Sequence, residues 1–314
     1  MKKRLFGYSL LLASIVLLSG CSMGTETNNK PAENTKSNAS DDQVTVGLSI
    51  STQNNPFFVT LKEGAMKAAT ALGAELVVVD AQDDTAKQIS GIEDLISQKV
   101  DVILINPTDS DAVATAVESA NDAGIPVITV DRSANGGTVV THIASDNVKG
   151  GQMAGDYILE AIGGKGNIVE LQGTAGTSAA RDRGDGFHKA VDGKEGVNVI
   201  ASQPADFDRA KGLSVMENIL QGNEDIQAVF AHNDEMALGA LQAIEAAGKK
   251  GIIVVGFDAT DDALTAVGAG TLAATVAQKP DAIGVEAVQT AVKVAKGETV
   301  EGAIPVELEL VSKK

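Results

Sequence analysis

The chain has 314 residues, 44% of them apolar, enough for one large domain or two modest lobes. Acidic residues outnumber basic ones by 42 to 25, and the formal charge of −17 argues against nucleic acid as a partner. There is no tryptophan and only 3% of residues are aromatic, so a cluster of rings points to a specific task.

At the N-terminus, Lys2, Lys3 and Arg4 form a basic region and Leu10 to Leu18 an apolar one. The apolar run is short for a bilayer span and closes in small residues, which predicts an export signal over residues 1–20. Leu18-Ser19-Gly20-Cys21 has the form of a lipobox, in which the cysteine thiol is acylated and becomes the first residue after cleavage. Cys21 is the only cysteine, so no disulfide framework is available and the thiol is assigned to lipidation. Residues 21–42 are polar with almost nothing to bury, and are predicted to be a flexible tether to the outer face of the cytoplasmic membrane.

From Val44 onward, short β-branched runs alternate with amphipathic stretches. Val44–Ile50, Leu76–Asp80, Val102–Asn106 and Val127–Asp131 read as buried parallel strands. Helices are predicted over Phe57–Gly73 and Asp109–Ala123, where apolar residues recur at three- and four-residue steps. The pattern repeats with strands at Ile168–Leu171, Val197–Gln203, Ala228–Ala231 and Ile252–Asp258. The second set of helices lies at Asn147–Ile162, Asp208–Leu220 and Asp234–Ala247. An internal echo links the halves: a strand ending in Asn106 leads through a helix to Asp131, and one ending in Asn233 leads to Asp258. Both pairs are 25 residues apart. Such alternation predicts two similar doubly wound α/β lobes with parallel sheets, each ending a strand in a carboxylate. Ligands of open α/β sheets sit at the carboxyl ends of strands, so Asp131 and Asp258 are expected to face a shared cleft that closes by hinge motion.

Catalytic patterns are poor. His142, His188 and His232 have no metal-ligand spacing among themselves. The stretch from Gly176 to Ala180 has alanine where a nucleophile elbow needs its last glycine. Gly268 to Ala273 fits a dinucleotide fingerprint but precedes a strand instead of following one. No Walker motif or calcium loop occurs, so any ATPase is a separate chain, and neither cofactor nor metal is expected. What does recur at strand ends and helix starts is a polar and aromatic set. It comprises Asn54 to Phe58, Asp131-Arg132, Arg181, Arg183, Phe207, Asn233-Asp234, Phe257-Asp258 and Gln278. Carboxylates that accept, guanidinium groups and amides that donate, and rings for C–H faces are what a monosaccharide needs.

Seven segments carry a resemblance. They are residues 46–59 (through Gln-Asn-Asn-Pro-Phe-Phe-Val), 104–113 (Leu-Ile-Asn-Pro-Thr-Asp-Ser-Asp-Ala-Val) and 143–148 (Ile-Ala-Ser-Asp-Asn-Val). The others are 170–173, 176–181 (Gly-Thr-Ser-Ala-Ala-Arg), 202–209 (Ser-Gln-Pro-Ala-Asp-Phe-Asp-Arg) and 233–241. Together they closely resemble bacterial D-ribose-binding proteins, of the periplasmic-binding-protein type I family, from about Val44 to the C-terminus. The resemblance implies that Asn55, Asp131, Arg132, Arg183, Asn233, Asp258 and Gln278 bind the sugar's oxygens. It puts Phe57, Phe58 and Phe207 on the ring faces. It also implies three hinge crossings, near Ala144–Asp146, Gln278–Pro280 and Pro305–Glu307, with one lobe formed by 43–145 plus 279–307 and the other by 146–278 plus 308–314.

The expected function is therefore D-ribose capture by hinge closure and delivery to an ABC permease with a separate ATPase subunit. The chain is expected to be a monomer held to the membrane through Cys21. A receptor for allose, galactose or a furanosyl signal molecule is the neighbouring alternative. A sugar-sensing regulator would need an N-terminal helix-turn-helix, where this chain has an export signal. An enzyme would need a base–nucleophile or metal constellation.

Overall fold

Strand β1 (Thr45–Ile50) runs into helix α1 (Pro56–Leu72) across a five-residue turn, and that junction sets the pattern for the whole chain. Asn55 caps α1 by accepting the Phe57 N–H on its side chain, Pro56 supplies a preset first helical residue, and Gly73 ends the helix at a φ of 68°. The computed structural model describes residues 43–313; the predicted signal segment and tether lie outside the described residues.

The first run continues through β2 (Glu75–Asp80), α2 (Thr85–Ser97), β3 (Val102–Ile105), α3 (Ala114–Asp122), β4 (Val127–Val130) and β5 (Thr141–Ser145). The second run begins with α4 (Asn147–Ala161), β6 (Gly166–Gln172), α5 (Ser178–Val191), β7 (Val197–Pro204) and α6 (Arg209–Gly222). It continues through β8 (Ala228–Ala231), α7 (Asp234–Ala246), β9 (Ile253–Asp258), α8 (Asp261–Ala269) and β10 (Ala274–Ala277). Helix α9 (Pro280–Ala295) and strands β11 (Ala303–Val306) and β12 (Glu309–Ser312) complete the order. Helix α3 starts five residues later than the sequence predicts. The Asp109 side chain accepts the N–H groups of Asp111 and Ala112, which holds that stretch as a turn.

Two six-stranded sheets result. One has the order β11-β5-β4-β3-β1-β2 and the other β12-β10-β9-β8-β6-β7, so the two runs follow the same winding. All pairs are parallel except β12, which runs antiparallel to β10. Helices cover both faces of each sheet, giving two apolar cores per lobe. Ile283, Ala287 and Val288 of α9 join the core of the first lobe, and Ala154 and Ile158 of α4 join that of the second. The chain passes between lobes three times: after β5, after β10, and between β11 and β12. The last passage falls at Glu307–Leu308, slightly beyond its predicted place, because Pro305 and Val306 still pair with β5.

Three helix pairs approach backbone to backbone through reciprocal glycines. A Cβ on Gly186 would strike the Val148 carbonyl, and one on Gly151 the Arg183 carbonyl, across α4 and α5. Gly64 and Gly284 do the same for α1 and α9, as do Gly212 and Gly239 for α6 and α7. Each pair therefore fixes the angle at which two helix starts meet the cleft. Gly186→Ala is expected to lower unfolding free energy by about 1–3 kcal/mol in urea titrations through overpacking. Gly268→Ala, a helical position with open space around it, should be neutral or slightly stabilising.

Candidate functional site

The two echoed carboxylates meet where the lobes face each other. Asp131 follows β4 and Asp258 is the last residue of β9; with φ of 62° and 116° they adopt conformations that turn their side chains out of the sheet. One small pocket is lined by Asn55, Phe57, Phe58, Asp131, Arg132, Ala179, Arg183, Phe207, Asn233 and Asp258. Nine of the ten residues that the resemblance implies thus share one space. The tenth, Gln278, lies beside it and donates from Nε2 to Asp258 Oδ1 at 2.9 Å.

Charge dominates this space. Asp131 and Arg132 come from the first lobe, Arg183 and Asp258 from the second, and all four are at least 94% buried. Arg132 Nε stands 3.8 Å from Asp131 Oδ2, and Arg183 Nη1 3.6 Å from Asp258 Oδ1. Both separations are too long for hydrogen bonds, so the pairs neutralise each other without saturating their donors and acceptors. Asp131 Oδ1, Arg132 Nε and Gln278 Oε1 are buried with no partner among the described residues. Burial pushes the Asp131 carboxyl above its usual range against the pull of Arg132, and pushes Asp258 up to about 7 against that of Arg183. Burial likewise lowers the Arg132 guanidinium from its ordinary value.

The rings fill the space between the charges. Phe57 and Phe58 meet edge to face, with centroids 5.2 Å apart. The Arg132 guanidinium carbon lies 4.9 Å from the Phe58 centroid and 5.2 Å from that of Phe207, so rings of opposite lobes enclose it. Arg183 lies 3.8 Å from the Phe257 centroid and 5.6 Å from Phe207. The sequence offers Phe257 at a strand end beside Asp258; its position against the Arg183 guanidinium is a property of the fold.

Supporting amides come from the crossings. Asn147, just past the first crossing, accepts from Arg183 Nε at 2.8 Å, and the His232 carbonyl accepts from Arg183 Nη1 at 2.6 Å. Gln278 stands at the second crossing. Asn106 donates to Asp131 Oδ2 at 3.3 Å, giving the first half of the echo a direct role. Asn233 behaves differently: its oxygen caps α7 through the Met236 N–H, and its Nδ2 donates to the Phe207 carbonyl at 3.1 Å.

The histidines have structural partners. His232 Nδ1 accepts from the Gly173 N–H, which places the proton on Nε2 for the 2.9 Å bond to Glu170. Burial raises Glu170, but the bonds from His232 and Ser202 outweigh it and bring the carboxyl down to about 2. His142 pairs with the Thr129 hydroxyl and His188 with Asp192. Among the described residues no group of three or more such side chains is arranged for a metal ion, and no helix is long and apolar enough to cross a membrane.

The lobes touch across the cleft. The Ser110 N–H donates to the Gly176 carbonyl at 2.9 Å, and the Ser133 N–H to the Ser178 hydroxyl at 2.8 Å. This is a closed arrangement, with the charged groups shut inside.

A family described as periplasmic binding protein domain matches residues 46–299, nearly the whole described chain. The chain belongs to this family. It is 58% identical over 270 residues to the ribose import binding protein of Escherichia coli (strain K12), covering 86% of this chain and 91% of that one. It is 51% identical over 305 residues to the ribose import binding protein of Bacillus subtilis (strain 168), covering 97% and 98%. Among solved structures, an ABC transporter solute-binding protein from Mycobacterium smegmatis with bound glycerol superposes with a TM-score of 0.84. It shares 37% identity and the match covers 86% of this chain and 94% of that one. The family match covers segments of both lobes and the first two crossings.

Proposed function

We propose that the chain captures D-ribose between its lobes and delivers it to an ABC permease outside the cytoplasm. The observation that carries this reading is the incomplete pairing of the buried charges. Asp131 Oδ1 and Arg132 Nε are sealed from water yet unbonded, which is costly unless a polar ligand completes them. A ribose hydroxyl donates to a carboxylate and accepts from a guanidinium at once, so one hydroxyl serves both members of a pair. Phe57, Phe58 and Phe207 cover the C–H faces and keep water out, which strengthens those bonds. The 58% and 51% identities to ribose import binding proteins supply the choice of sugar.

In mechanism, the sugar binds the exposed half-site of one lobe when the cleft is open. Closure then brings Arg183, Phe207, Asn233 and Asp258 against Asn55, Phe57, Phe58, Asp131 and Arg132, and Gln278 holds Asp258 in line. The moving bodies are residues 43–145 with 279–307 and residues 146–278 with 308–314. The role read for the site is to bind and release the sugar. Calorimetry with ribose, allose, galactose and arabinose tests the reading. Ribose heat is expected, and its absence while another sugar binds would overturn the choice of ligand.

A pH dependence follows from the raised carboxyls. Asp258 is held near 7 against an unfolded value of 3.8, so its contribution to the stability of the sugar-free closed form is lost as pH rises through about 7. Asp131 adds the same sign. Sugar hydroxyls donate to the ionised forms and reverse that loss. The ribose-induced rise in thermal midpoint is therefore expected to be larger at about pH 8 than at about pH 5.5, with Asp258→Asn removing most of the difference.

The chain is further proposed to act as a monomer tethered by a lipid on Cys21, as supported by the Leu-Ser-Gly-Cys motif and the polar stretch after it. Cys21→Ser is expected to move the protein from the membrane fraction to the soluble one. Unchanged membrane retention would remove the anchor.

A further inference from the structure

Asp234 follows a residue of the pocket, yet its side chain lies wholly inside the second lobe and lines none of the cleft. Its Oδ1 accepts the Thr275 hydroxyl at 2.7 Å, and its Oδ2 accepts the Thr260 N–H at 2.8 Å. The Thr275 hydroxyl oxygen in turn accepts the Ala259 N–H at 3.1 Å. The two backbone N–H groups that follow Asp258 are therefore both taken by this buried pair. They need to be held, because Asp258 and Ala259 are consecutive non-glycine residues at φ values of 116° and 56°. Gly256 belongs to the same device: a Cβ there would collide with Asp234 Oδ1, so the glycine leaves room for the carboxylate.

The first lobe solves the same problem differently. There Asn106, the counterpart of Asn233, reaches Asp131 itself and the Val130 carbonyl. Asn233 is committed to capping α7 and to the Phe207 carbonyl, so it cannot do this for Asp258. The next residue has taken over, acting on the backbone instead of the carboxylate.

We propose that Asp234 and Thr275 are positioning residues for sugar binding, holding Asp258 and Ala259 at their positive φ values so that the Asp258 carboxylate faces the cleft. This inference rests on the reading that Asp258 contacts the sugar. It is tested by a double-mutant cycle on the full chain, with ribose affinity measured by calorimetry at sugar concentrations up to the millimolar range. Thr275→Val keeps the shape and loses the hydroxyl, and is expected to weaken ribose binding about 10- to 100-fold. Thr275→Ser restores the hydroxyl and should bind within about threefold of the parent. In an Asp258→Asn background, Thr275→Val should cost less than about twofold more, because its effect runs through a group already lost. A Thr275→Val chain that binds like the parent overturns the proposal, as does a penalty that is undiminished beside Asp258→Asn. If Thr275→Val does not fold, Asp234→Asn is carried through the same cycle and judged by the same two outcomes. A parent chain without ribose heat, or an Asp258→Asn chain of parental affinity, overturns the underlying site reading and this inference with it.

Discussion

Asp131→Ala is expected to remove useful ribose binding while leaving the sugar-free protein folded. The carboxylate is 2% exposed and stands beside an Arg132 that is 4% exposed. Deleting one member of a buried ion pair costs about 3–5 kcal/mol, because the remaining charge loses its nearest counter-ion where water is excluded. In binding terms that is roughly a few hundred- to a few thousand-fold. The penalty falls on the closed state. When the lobes part, water reaches the guanidinium and solvates it, so folding of the open form is spared. Calorimetry should show the ribose signal lost, and thermal unfolding without sugar should show little change. Arg132 is the group left unpaired; Arg183 keeps its own partner in Asp258. Tight ribose binding retained by Asp131→Ala would remove this carboxylate from the site.

The sequence carried the fold well because its signals are local. Strand, helix and acid recur within 25 residues in each half, and both halves adopt the same strand order. Gly270, inside the apparent dinucleotide fingerprint, turns out to end α8 in a left-handed conformation before β10, as its place before a strand suggests. Other elements give weaker signals. Pro305 argues against a strand, and β11 tolerates it only because it lies at the edge of its sheet. Helix α3 is shortened by an aspartate whose local bonds compete with the helix.

In the site, what could be read were the residue types at strand ends. Their partners could not be read, because each partnership joins segments 20 or more positions apart. Asn147 and Arg183 are 36 positions apart, and nothing in either segment announces the bond. Gln278 and Asp258 meet because adjacent parallel strands β9 and β10 end at the same height. Asn106 and Asn233 look equivalent in the echo, yet only the first touches its acid. A repeat can preserve the positions of two side chains while their hydrogen bonds diverge.

Phe207→Ala is expected to weaken ribose binding by about 3 kcal/mol, roughly 100-fold, at the low end for a buried phenylalanine because the opened cleft admits water. The ring is the one aromatic group of the pocket that lies over both guanidinium groups, at 5.2 Å from Arg132 and 5.6 Å from Arg183. Arg132 belongs to the opposite lobe, so this contact forms only on closure. The ring is placed at some cost: Asp206 and Phe207 both have positive φ, at 52° and 60°, and the Asn233 amide holds the Phe207 carbonyl. Gly173 gives the ring its seat, since a Cβ there would run into it. On the proposed site, removing the side chain would therefore take away one face of the sugar and one of the contacts that keep the lobes together. Phe207→Leu keeps apolar bulk but has no π face for the two cations, and should lose an intermediate amount. Small-angle scattering with ribose at saturation separates the two contributions. If Phe207 stabilises closure, the alanine variant should show less ribose-dependent compaction than the parent even when fully occupied. Full compaction at saturation would confine the ring's role to the sugar face.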